Sequence, residues 1–386
     1  MSGRRSPARE GNPVVTQEQV RAALRNVLDP EIGKPIEDLG MLHDIEIDDD
    51  GSVRVHVLLT VAGCPLKETI NRDVTGAVAP LEGVRGVEVE LTPMSEDQRK
   101  GLVGQLRGDR PEERTFFTEG DTDVIAVASG KGGVGKSSVT ANLAVALAAE
   151  GHQVGVLDAD VWGFSIPRML GVTGRPVAFN DMILPLEAHG VRVISMGFFV
   201  SDDTPVIWRG PMLHKALQQF LGDVYWGELD FLLIDMPPGT GDVSLSLASF
   251  LPGGSMVVVT TPQDAASKVA ERAGRMAQHP NVKLKLLGVV ENMSGFVCPH
   301  CGEVTDVFGI GGGRKTADGL GIPYLGGVPM QVSLREGADV GRPVVLTEPD
   351  SPAADAIRDI ARDVARRAKT RIGKTLPLAV GPAHAH

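Results

Sequence analysis

The glycine-rich segment 130–137, GKGGVGKS, constrains the fold more than any other stretch of the chain. It fits the pattern G-x-x-x-x-G-K-[ST], and it lies between the apolar run DVIAVAS and the helix-forming run SSVTANLAVALAAE. A glycine loop between a buried strand and a helix turns its backbone N–H groups toward one point, where the start of the helix adds partial positive charge. The segment therefore predicts a loop that binds the phosphates of a nucleotide. A glycine-rich turn that binds nothing would not require this spacing.

Two lysines stand in this loop, although phosphate binding requires only one. Lys136 is expected to reach the β- and γ-phosphates, and the Ser137 hydroxyl is expected to bind Mg²⁺. Lys131 is either an exposed lysine that lowers the repulsion among phosphates or a residue with a separate task. The full set of predicted nucleotide-binding residues in the loop is Gly130, Lys131, Gly132, Gly133, Val134, Gly135, Lys136, Ser137 and Ser138.

From Asp123 onward, apolar runs alternate with amphipathic segments. The runs include VIAVAS, QVGVLDAD, VRVISMGF, DFLLIDMPP, SMVVVTTP and LKLLGVVENM. Near-continuous Val, Ile and Leu strands separated by helices are typical of a parallel sheet that is covered on both faces. We therefore predict an α/β fold, a doubly wound and mostly parallel sheet of the P-loop NTPase type. The closing helix in SPAADAIRDIARDVARRAKTR is expected to pack on its own domain.

The first ninety residues have a different pattern. Apolar residues at helical spacing follow Thr16, and MLHDIEIDDDGSVRVHVLLTV alternates about an Asp-Gly turn, which indicates a hairpin. A helix over 66–79 and the strand GVEVELTP complete a small α+β domain. The predicted organisation is a flexible arm over 1–13, this α+β domain over 14–94, a linker with one short helix over 95–121, the P-loop domain over 122–372 and a flexible tail over 373–386.

Acidic residues end two of the predicted strands. Asp235 ends DFLLID, where its carboxylate can hold Mg²⁺ through a water molecule, and Asp158 and Asp160 end another strand in VLDADVWG. Asp158 is expected to support the metal site. The following loop with Gly239, Gly241 and Asp242 in PPGTGD is expected to be mobile and to respond to the γ-phosphate.

Cys298-Pro-His-Cys301 is the second chemical motif. A redox pair would place the first cysteine at a helix start, but GEVTDVFG after Cys301 is a poor helix former, so two thiolates that face one metal centre fit best. A tetrahedral site takes four ligands, and the only other cysteine, Cys64, lies in the other domain. A two-fold dimer would supply four thiolates. Zinc and an iron–sulfur cluster both remain open, with His300 beside the site or exposed. Cys64 stays unassigned between a reactive thiol and a buried one.

Several motifs together resemble a known family. KGGVGKS resembles the deviant Walker A loop of the MinD, ParA and nitrogenase-iron-protein class. The ordered set SGKGGVGKSS, DADVWGFSIPRMLG, IDMPPGTGD, TTPQ, GVVENMSGFVCPHCG and FGIGGG resembles the Mrp/ApbC iron–sulfur carrier ATPases over about residues 123–370. DPEIGKPIEDLGML and TVAGCPLKETI resemble the PaaD-like domain that bacterial members carry in front.

The resemblance implies a homodimeric ATPase with slow turnover. In that class, the extra lysine contacts the nucleotide of the partner subunit, so Lys131 would act in trans as a charge stabiliser. Asp160 would position the attacking water and Asn292 would contact adenine. Cys298 and Cys301 would bind a labile [4Fe–4S] cluster between the subunits, loaded from a cluster-assembly scaffold and transferred to apo iron–sulfur proteins. ATP, Mg²⁺ and the cluster are thus the expected cofactors, and Lys131, Lys136, Asp160 and Asp235 are the expected catalytic residues.

Composition weighs against other classes of partner. The formal net charge is −11, and there are only two tyrosines and three tryptophans, whereas a nucleic-acid binder is usually basic. No run approaches the roughly 18 apolar residues of a membrane span, and MSGRRSPAREGNP lacks the apolar core of a secretory signal. We expect a cytoplasmic protein without nucleic-acid or membrane partners. The alternatives are a positioning ATPase of the MinD/ParA type on DNA or membrane, and an ATPase scaffold with a structural zinc.

Overall fold

The chain divides into two units. A computed structural model describes residues 15–30, 32–60, 66–107, 122–161, 163–179, 182–199, 210–239, 244, 247–248, 251, 253–279, 282 and 284–369. One unit takes the described part of Met1–Glu112 together with Val177–Leu184, and the other takes the described part of Glu113–Pro176 and Pro185–His386. The predicted arm, the tail and much of the predicted linker lie outside the described residues, so their boundaries stay predictions.

Helices and strands follow one another along the chain in this order. They are α1 (Gln17–Leu24), β1 (Leu42–Ile47), β2 (Ser52–Leu59), α2 (Lys67–Val78), β3 (Gly86–Pro93), α3 (Glu96–Arg107), β4 (Asp123–Ser129), α4 (Lys136–Ala149), β5 (Val154–Asp158), α5 (Ile166–Met169), β6 (Val177–Phe179), β7 (Met182–Leu184), β8 (Leu186–Ala188), β9 (Val191–Ser195), α6 (Gly210–Gly222), β10 (Phe231–Asp235), β11 (Ser255–Thr260), α7 (Asp264–Ala277), β12 (Lys285–Val297), β13 (Val304–Thr305), α8 (Gly312–Leu320), β14 (Tyr324–Met330), α9 (Val332–Asp339), α10 (Val344–Thr347) and α11 (Pro352–Ala368).

The N-terminal unit is a three-stranded sheet with helices. β1 and β2 form the expected antiparallel hairpin, and β3 returns parallel to β2 after the crossover helix α2. A capping box at Thr16 starts α1, since its hydroxyl accepts from the backbone N–H of Gln19 and the Gln19 side chain accepts from the backbone N–H of Thr16. α3 belongs to this unit, because Leu102 is buried and the Gln105 side chain donates to the backbone oxygen of Asp38 at 2.8 Å.

The larger unit contains the predicted doubly wound sheet. Its described strands are ordered β13-β12-β11-β4-β10-β5-β9-β8, with β14 also paired to β12. The central pairs are parallel, and only β13 and β8 at the two edges run antiparallel to their neighbours. Every residue of β5, β10 and β11 is buried, because helices cover both faces of these strands. The carboxyl ends of these parallel strands lie at one edge of the sheet, which is where ligands bind in open α/β folds.

The core of this unit lies between the sheet and its helices. α4 and α11 pack against each other, and α7 and α8 form a second packed pair beside β11 and β12. Ile357, Ile360 and Val364 of α11 are buried in this core, so the closing helix packs on its own domain as predicted. In the part of the chain that the structure describes, no helix is both long and apolar enough to cross a membrane.

Candidate functional site: a phosphate loop and a cysteine hairpin

The predicted phosphate loop joins β4 to α4. Gly133 and Gly135 have φ angles of 79° and 78°, which glycine adopts at little cost. A side chain at Gly130 would overlap the backbone of Val269, whereas one at Gly132 or Gly133 would have no neighbour within 4 Å. The inner end of the loop therefore rests directly on α7, and its outer rim is open to a ligand.

The buried Lys136 occupies the centre of this loop. Its ammonium lies 2.6 Å from Oδ2 of the buried Asp235 and 4.0 Å from Oδ2 of Asp160. The Ser137 hydroxyl donates to Asp235 Oδ2 at 2.5 Å, and the Thr140 hydroxyl donates to Asp235 Oδ1 at 2.8 Å. The ion pair Lys136–Asp235 thus lies beside the hydroxyl that is expected to bind Mg²⁺.

Asp158 lies beside this pair and organises the next loop. Its Oδ2 accepts from the backbone N–H groups of Ser165 and Ile166 at 3.1 and 3.2 Å and from the Ser195 hydroxyl at 3.1 Å, while Oδ1 accepts from the N–H of Asp160. Burial, followed by the nearby charge of Asp235, raises the pKa of Asp158 from 3.8 to about 7. The side chain therefore fixes the loop that carries Asp160.

Asp160 is buried beside Lys136. Its Oδ1 accepts from the backbone N–H of Gly163 at 3.1 Å, and its Oδ2 points toward the ammonium of Lys136. Lys131 is exposed at the rim of the loop. The structure thus brings together Lys136, Ser137, Asp160 and Asp235. Gly241 and Asp242 of the predicted phosphate-responsive loop lie outside the described residues.

Asn292 contacts the phosphate loop from β12. Its amide nitrogen donates to the backbone oxygen of Val134 at 2.9 Å, and the side chain is buried. A side chain at Gly135 would overlap this amide, so the loop rests on Asn292. Its expected contact with adenine stays a prediction. The sequence suggested that the strand stops near Asn292, but β12 continues to Val297 after a bend at Met293, whose φ is 60°.

The cysteine pair lies on the hairpin that follows this bend. The end of β12 pairs with β13, and the Cys298 N–H donates to the backbone oxygen of Glu303 at 2.9 Å. Cys298 is half-buried and Cys301 is exposed. The backbone N–H groups of His300 and Cys301, followed by the Cys301 thiol, bond to the Cys298 sulfur and hold its pKa below the usual value. Such N–H donors favour the thiolate, which is the metal-binding form.

The hairpin does not by itself contain the ligands of a complete metal site. Among the described residues no cluster of three or more His, Cys, Asp or Glu side chains could hold a metal ion. His300 is exposed, and Cys64 lies outside the described residues. A four-ligand centre at Cys298 and Cys301 consequently requires ligands from elsewhere, as the sequence indicated.

Two residues of this region were not singled out from the sequence. Thr140 binds the carboxylate of Asp235, and its position four residues after Lys136, one turn along α4, is the signal that was available. Glu291 is buried and accepts from the backbone N–H of Gly313 at 2.5 Å, at the start of α8. The neighbours Glu291 and Asn292 thus hold α8 and the phosphate loop respectively.

Comparison with protein families agrees with this arrangement. A family model described as NUBPL iron-transfer P-loop NTPase matches residues 121–365, which is more than half of the chain. The chain belongs to this family. A second model, described as an iron–sulfur cluster assembly protein, matches residues 17–91 and confirms the predicted N-terminal domain type.

Individual relatives extend over most of the chain. A protein of Mycobacterium tuberculosis H37Rv named iron-sulfur cluster carrier protein is 51% identical over 367 residues, which is 93% of this chain and 96% of the relative. A mitochondrial Arabidopsis thaliana protein, named as an iron-sulfur protein required for NADH dehydrogenase, is 47% identical over 252 residues, or 65% of this chain and 80% of the relative.

A solved structure is similar in the larger unit. It is a nucleotide-binding protein from Archaeoglobus fulgidus in complex with ADP, 39% identical, with a TM-score of 0.52. The match covers 60% of this chain and 90% of that protein. The predicted resemblance and the P-loop NTPase fold are therefore confirmed.

Proposed function

We propose that the chain is an ATP-hydrolysing carrier that binds a labile [4Fe–4S] cluster between two copies of itself and transfers it to apo iron–sulfur proteins. The observation that carries the proposal is the cysteine hairpin at the end of β12, on the strand whose Asn292 contacts the phosphate loop. The hairpin has two adjacent thiols, with backbone N–H groups directed at Cys298. Relatives named iron-sulfur cluster carrier protein support the cargo.

The phosphate loop supplies the nucleotide chemistry. Lys136 and the loop N–H groups would bind the phosphates, and Ser137 and Asp235 would hold Mg²⁺, which neutralises phosphate charge when it is bound. The open rim at Gly132 and Gly133 and the contact of Ser137 with Asp235 fit these ligands. Asp160 would orient the attacking water from its place beside Lys136.

Under this proposal, hydrolysis depends on a second copy of the chain because of Lys131. Its exposed side chain would contact the nucleotide bound by the partner and stabilise the charge that develops during a slow hydrolysis. Asn292 would offer its side-chain oxygen to the amino group of adenine, since its amide nitrogen already donates to Val134. ATP can bias the dimer only if it binds one arrangement of the two copies better than another.

The cluster is the cargo of this cycle. Each copy would contribute Cys298 and Cys301, which gives the four thiolates that a [4Fe–4S] cluster takes. The exposure of Cys301 is compatible with release to a recipient protein. A hairpin turn at the surface can present the cluster without any opening of the core.

The test is anaerobic reconstitution with Fe²⁺ and sulfide, read by visible absorbance and by iron per chain. Wild type should bind about four irons per dimer, Cys298→Ala should bind few, and the control Cys64→Ala should match wild type. Zinc without visible absorbance at the same cysteines, or iron that does not depend on Cys298, would contradict the carrier proposal.

A second experiment separates the two lysines. Lys136→Ala should lose nucleotide binding, whereas Lys131→Ala should keep binding and lose about 10³-fold or more in hydrolysis, the range for a charge supplied in trans. Equilibrium binding of a fluorescent ATP analogue and phosphate release would be measured on both variants. Equal hydrolysis by Lys131→Ala and wild type would contradict the role in trans.

A further inference from the structure

A row of exposed apolar side chains adjoins the cysteine hairpin. All ten residues from Cys301 to Ile310 are exposed. Four of them are large and apolar, and we call them the apolar rim: Val304 at 57%, Val307 at 56%, Phe308 at 36% and Ile310 at 71% exposure. Water-exposed apolar side chains scattered singly are ordinary, but four within seven residues form a patch that is typical of an interaction site.

The apolar rim is held in a defined conformation. Val304 pairs across the hairpin with Val297, and the N–H groups of Val307 and Gly309 close turns on Thr305 and Asp306 at 2.9 and 3.2 Å. These bonds fix the segment immediately after the second cysteine. The exposed side chains therefore belong to an ordered surface.

The far end of the segment is anchored as well. The N–H of Gly313 donates to the buried Glu291, and the Ser267 hydroxyl donates to the backbone oxygen of Gly312 at 3.0 Å. A side chain at Gly312 would overlap the backbone of Pro262, so α8 starts in close contact with the sheet edge. Hydrogen bonds therefore hold the apolar rim to the cysteine hairpin on one side and to the core on the other.

The number of thiolates that a cluster requires indicates which molecule covers the apolar rim. This step rests on the proposed function, in which two copies share one cluster through Cys298 and Cys301. Thiolates that bind one centre lie close together, at about 2.3 Å from the metal in the case of zinc. The two-fold axis must therefore pass beside the hairpin. In a two-fold interface the same patch occurs on both subunits, so residues next to the axis face their own copies.

We propose that the apolar rim is the contact surface for a second copy of this chain, which closes the cluster site by packing Val307, Phe308 and Ile310 against the same residues of the partner. The exposed apolar side chains are then buried only in the dimer that holds the cluster. They exclude water from the cluster on the side that the hairpin leaves open. The patch is apolar, which is the composition expected of the centre of a homodimer interface.

The test introduces charge at the most exposed member. Ile310→Asp and Ile310→Lys should each weaken the cluster-loaded dimer at least about tenfold, because two like charges meet near the axis and apolar burial is lost. An equimolar mixture of the two variants should recover the dimer and its iron. Val340→Asp is the control, since Val340 is 69% exposed and apolar but follows α9, next to Gly341, which packs against Gly171.

Loading would use Fe²⁺ and sulfide without oxygen, followed by sedimentation velocity and iron per chain. Val307→Asp should repeat the effect of Ile310→Asp, and circular dichroism of the apo variants should match wild type. If the variants form the loaded dimer as well as wild type does, the proposal is overturned. It is equally overturned if the variants form that dimer normally and only their transfer of the cluster to a recipient protein is slower. Weakened dimers that the mixture does not restore also contradict contact between the two copies of residue 310.

The controls separate this inference from the proposed function. A wild-type protein without cysteine-dependent iron overturns both. A wild-type protein that loads about four irons per dimer, together with an Ile310→Asp variant that loads equally, overturns only the assignment of the apolar rim.

Discussion

Replacement of Gly135 by alanine tests how the phosphate loop rests on Asn292. Both Gly133 and Gly135 have a positive φ, so alanine at either position would strain the backbone. At Gly135 the new methyl group would also overlap the Asn292 amide, whereas at Gly133 it would have no neighbour within 4 Å. Gly133→Ala is therefore a matched control, in which backbone strain is the only expected cause of lost stability. The difference between the two variants measures the contact with Asn292.

The magnitudes follow from these two contributions. A left-handed φ costs an L-residue about 1–2 kcal/mol, so Gly133→Ala should lose about that much stability. In Gly135→Ala the amide must also move and lose its bond to the Val134 oxygen, which adds about 1–3 kcal/mol for an unsatisfied buried group. We expect Gly135→Ala to lose about 2–5 kcal/mol in total.

A double-mutant cycle isolates the contact. Asn292→Ala removes the amide and should itself cost about 1–3 kcal/mol, but in its presence Gly135→Ala should cost only the backbone strain. The two substitutions should therefore be non-additive by about 1–3 kcal/mol. Additivity within about 0.5 kcal/mol would refute the reasoning.

The assay is urea unfolding of the protein without nucleotide, followed by tryptophan fluorescence. The three tryptophans of the sequence are Trp162, Trp208 and Trp226, all after residue 122, so the signal reports on the P-loop unit. Trp226 is buried at 3% exposure, which makes its emission sensitive to loss of the core. Equal slopes against urea concentration are required before the free energies are compared.

Three further predictions concern the buried polar groups. As the pH rises from 4 to 7, the free energy of unfolding of the P-loop unit should fall by up to about 1.4 kcal/mol per pH unit, because Asp158 keeps its proton in the folded protein and has lost it in the unfolded chain. Urea unfolding of Asp158→Asn over the same pH range should show a weaker dependence of this free energy on pH. Glu291→Ala should cost about 1.5–3 kcal/mol through loss of the charged bond to the start of α8, against less than about 0.5 for the exposed Glu303→Ala. Thr140→Val should lower stability by about 1 kcal/mol, since it removes a donor to Asp235, and unchanged urea midpoints would contradict that contact.

Local patterns in the sequence predicted most of the elements that carry chemistry. The glycine spacing before Lys136 and the apolar run before Asp235 each indicate a strand end, and parallel strands place such ends at one edge. The register confirms this, since Asp235 is directly paired with Asp158 across β10 and β5. Ser95 and Gln98 form a capping box that starts α3, a signal present in a segment predicted as linker.

Contacts between distant segments could not be predicted in the same way. Asn292 and Val134 are separated by 158 residues, and Glu291 and Gly313 by 22, and no periodicity relates such positions. The bend at Met293 is also invisible in the pattern, because the apolar run fades there while the strand continues to Val297. The backbone of Met293 is left-handed, and the pairs that Asn292 and Phe296 form with β14 lie on either side of it.

Under the proposed function, the two chemical motifs share one property, which is that neither would be complete within a single copy. The hairpin offers two thiols, whereas a [4Fe–4S] cluster takes four. Lys131 is exposed, and its proposed role requires the nucleotide of a second copy. Each deficit would be removed by a two-fold axis, and only the five residues 293–297 of β12 separate Asn292 from Cys298. An axis that satisfies both would couple nucleotide and cluster through the arrangement of the copies, since a ligand that prefers one arrangement must favour any other ligand that prefers it too.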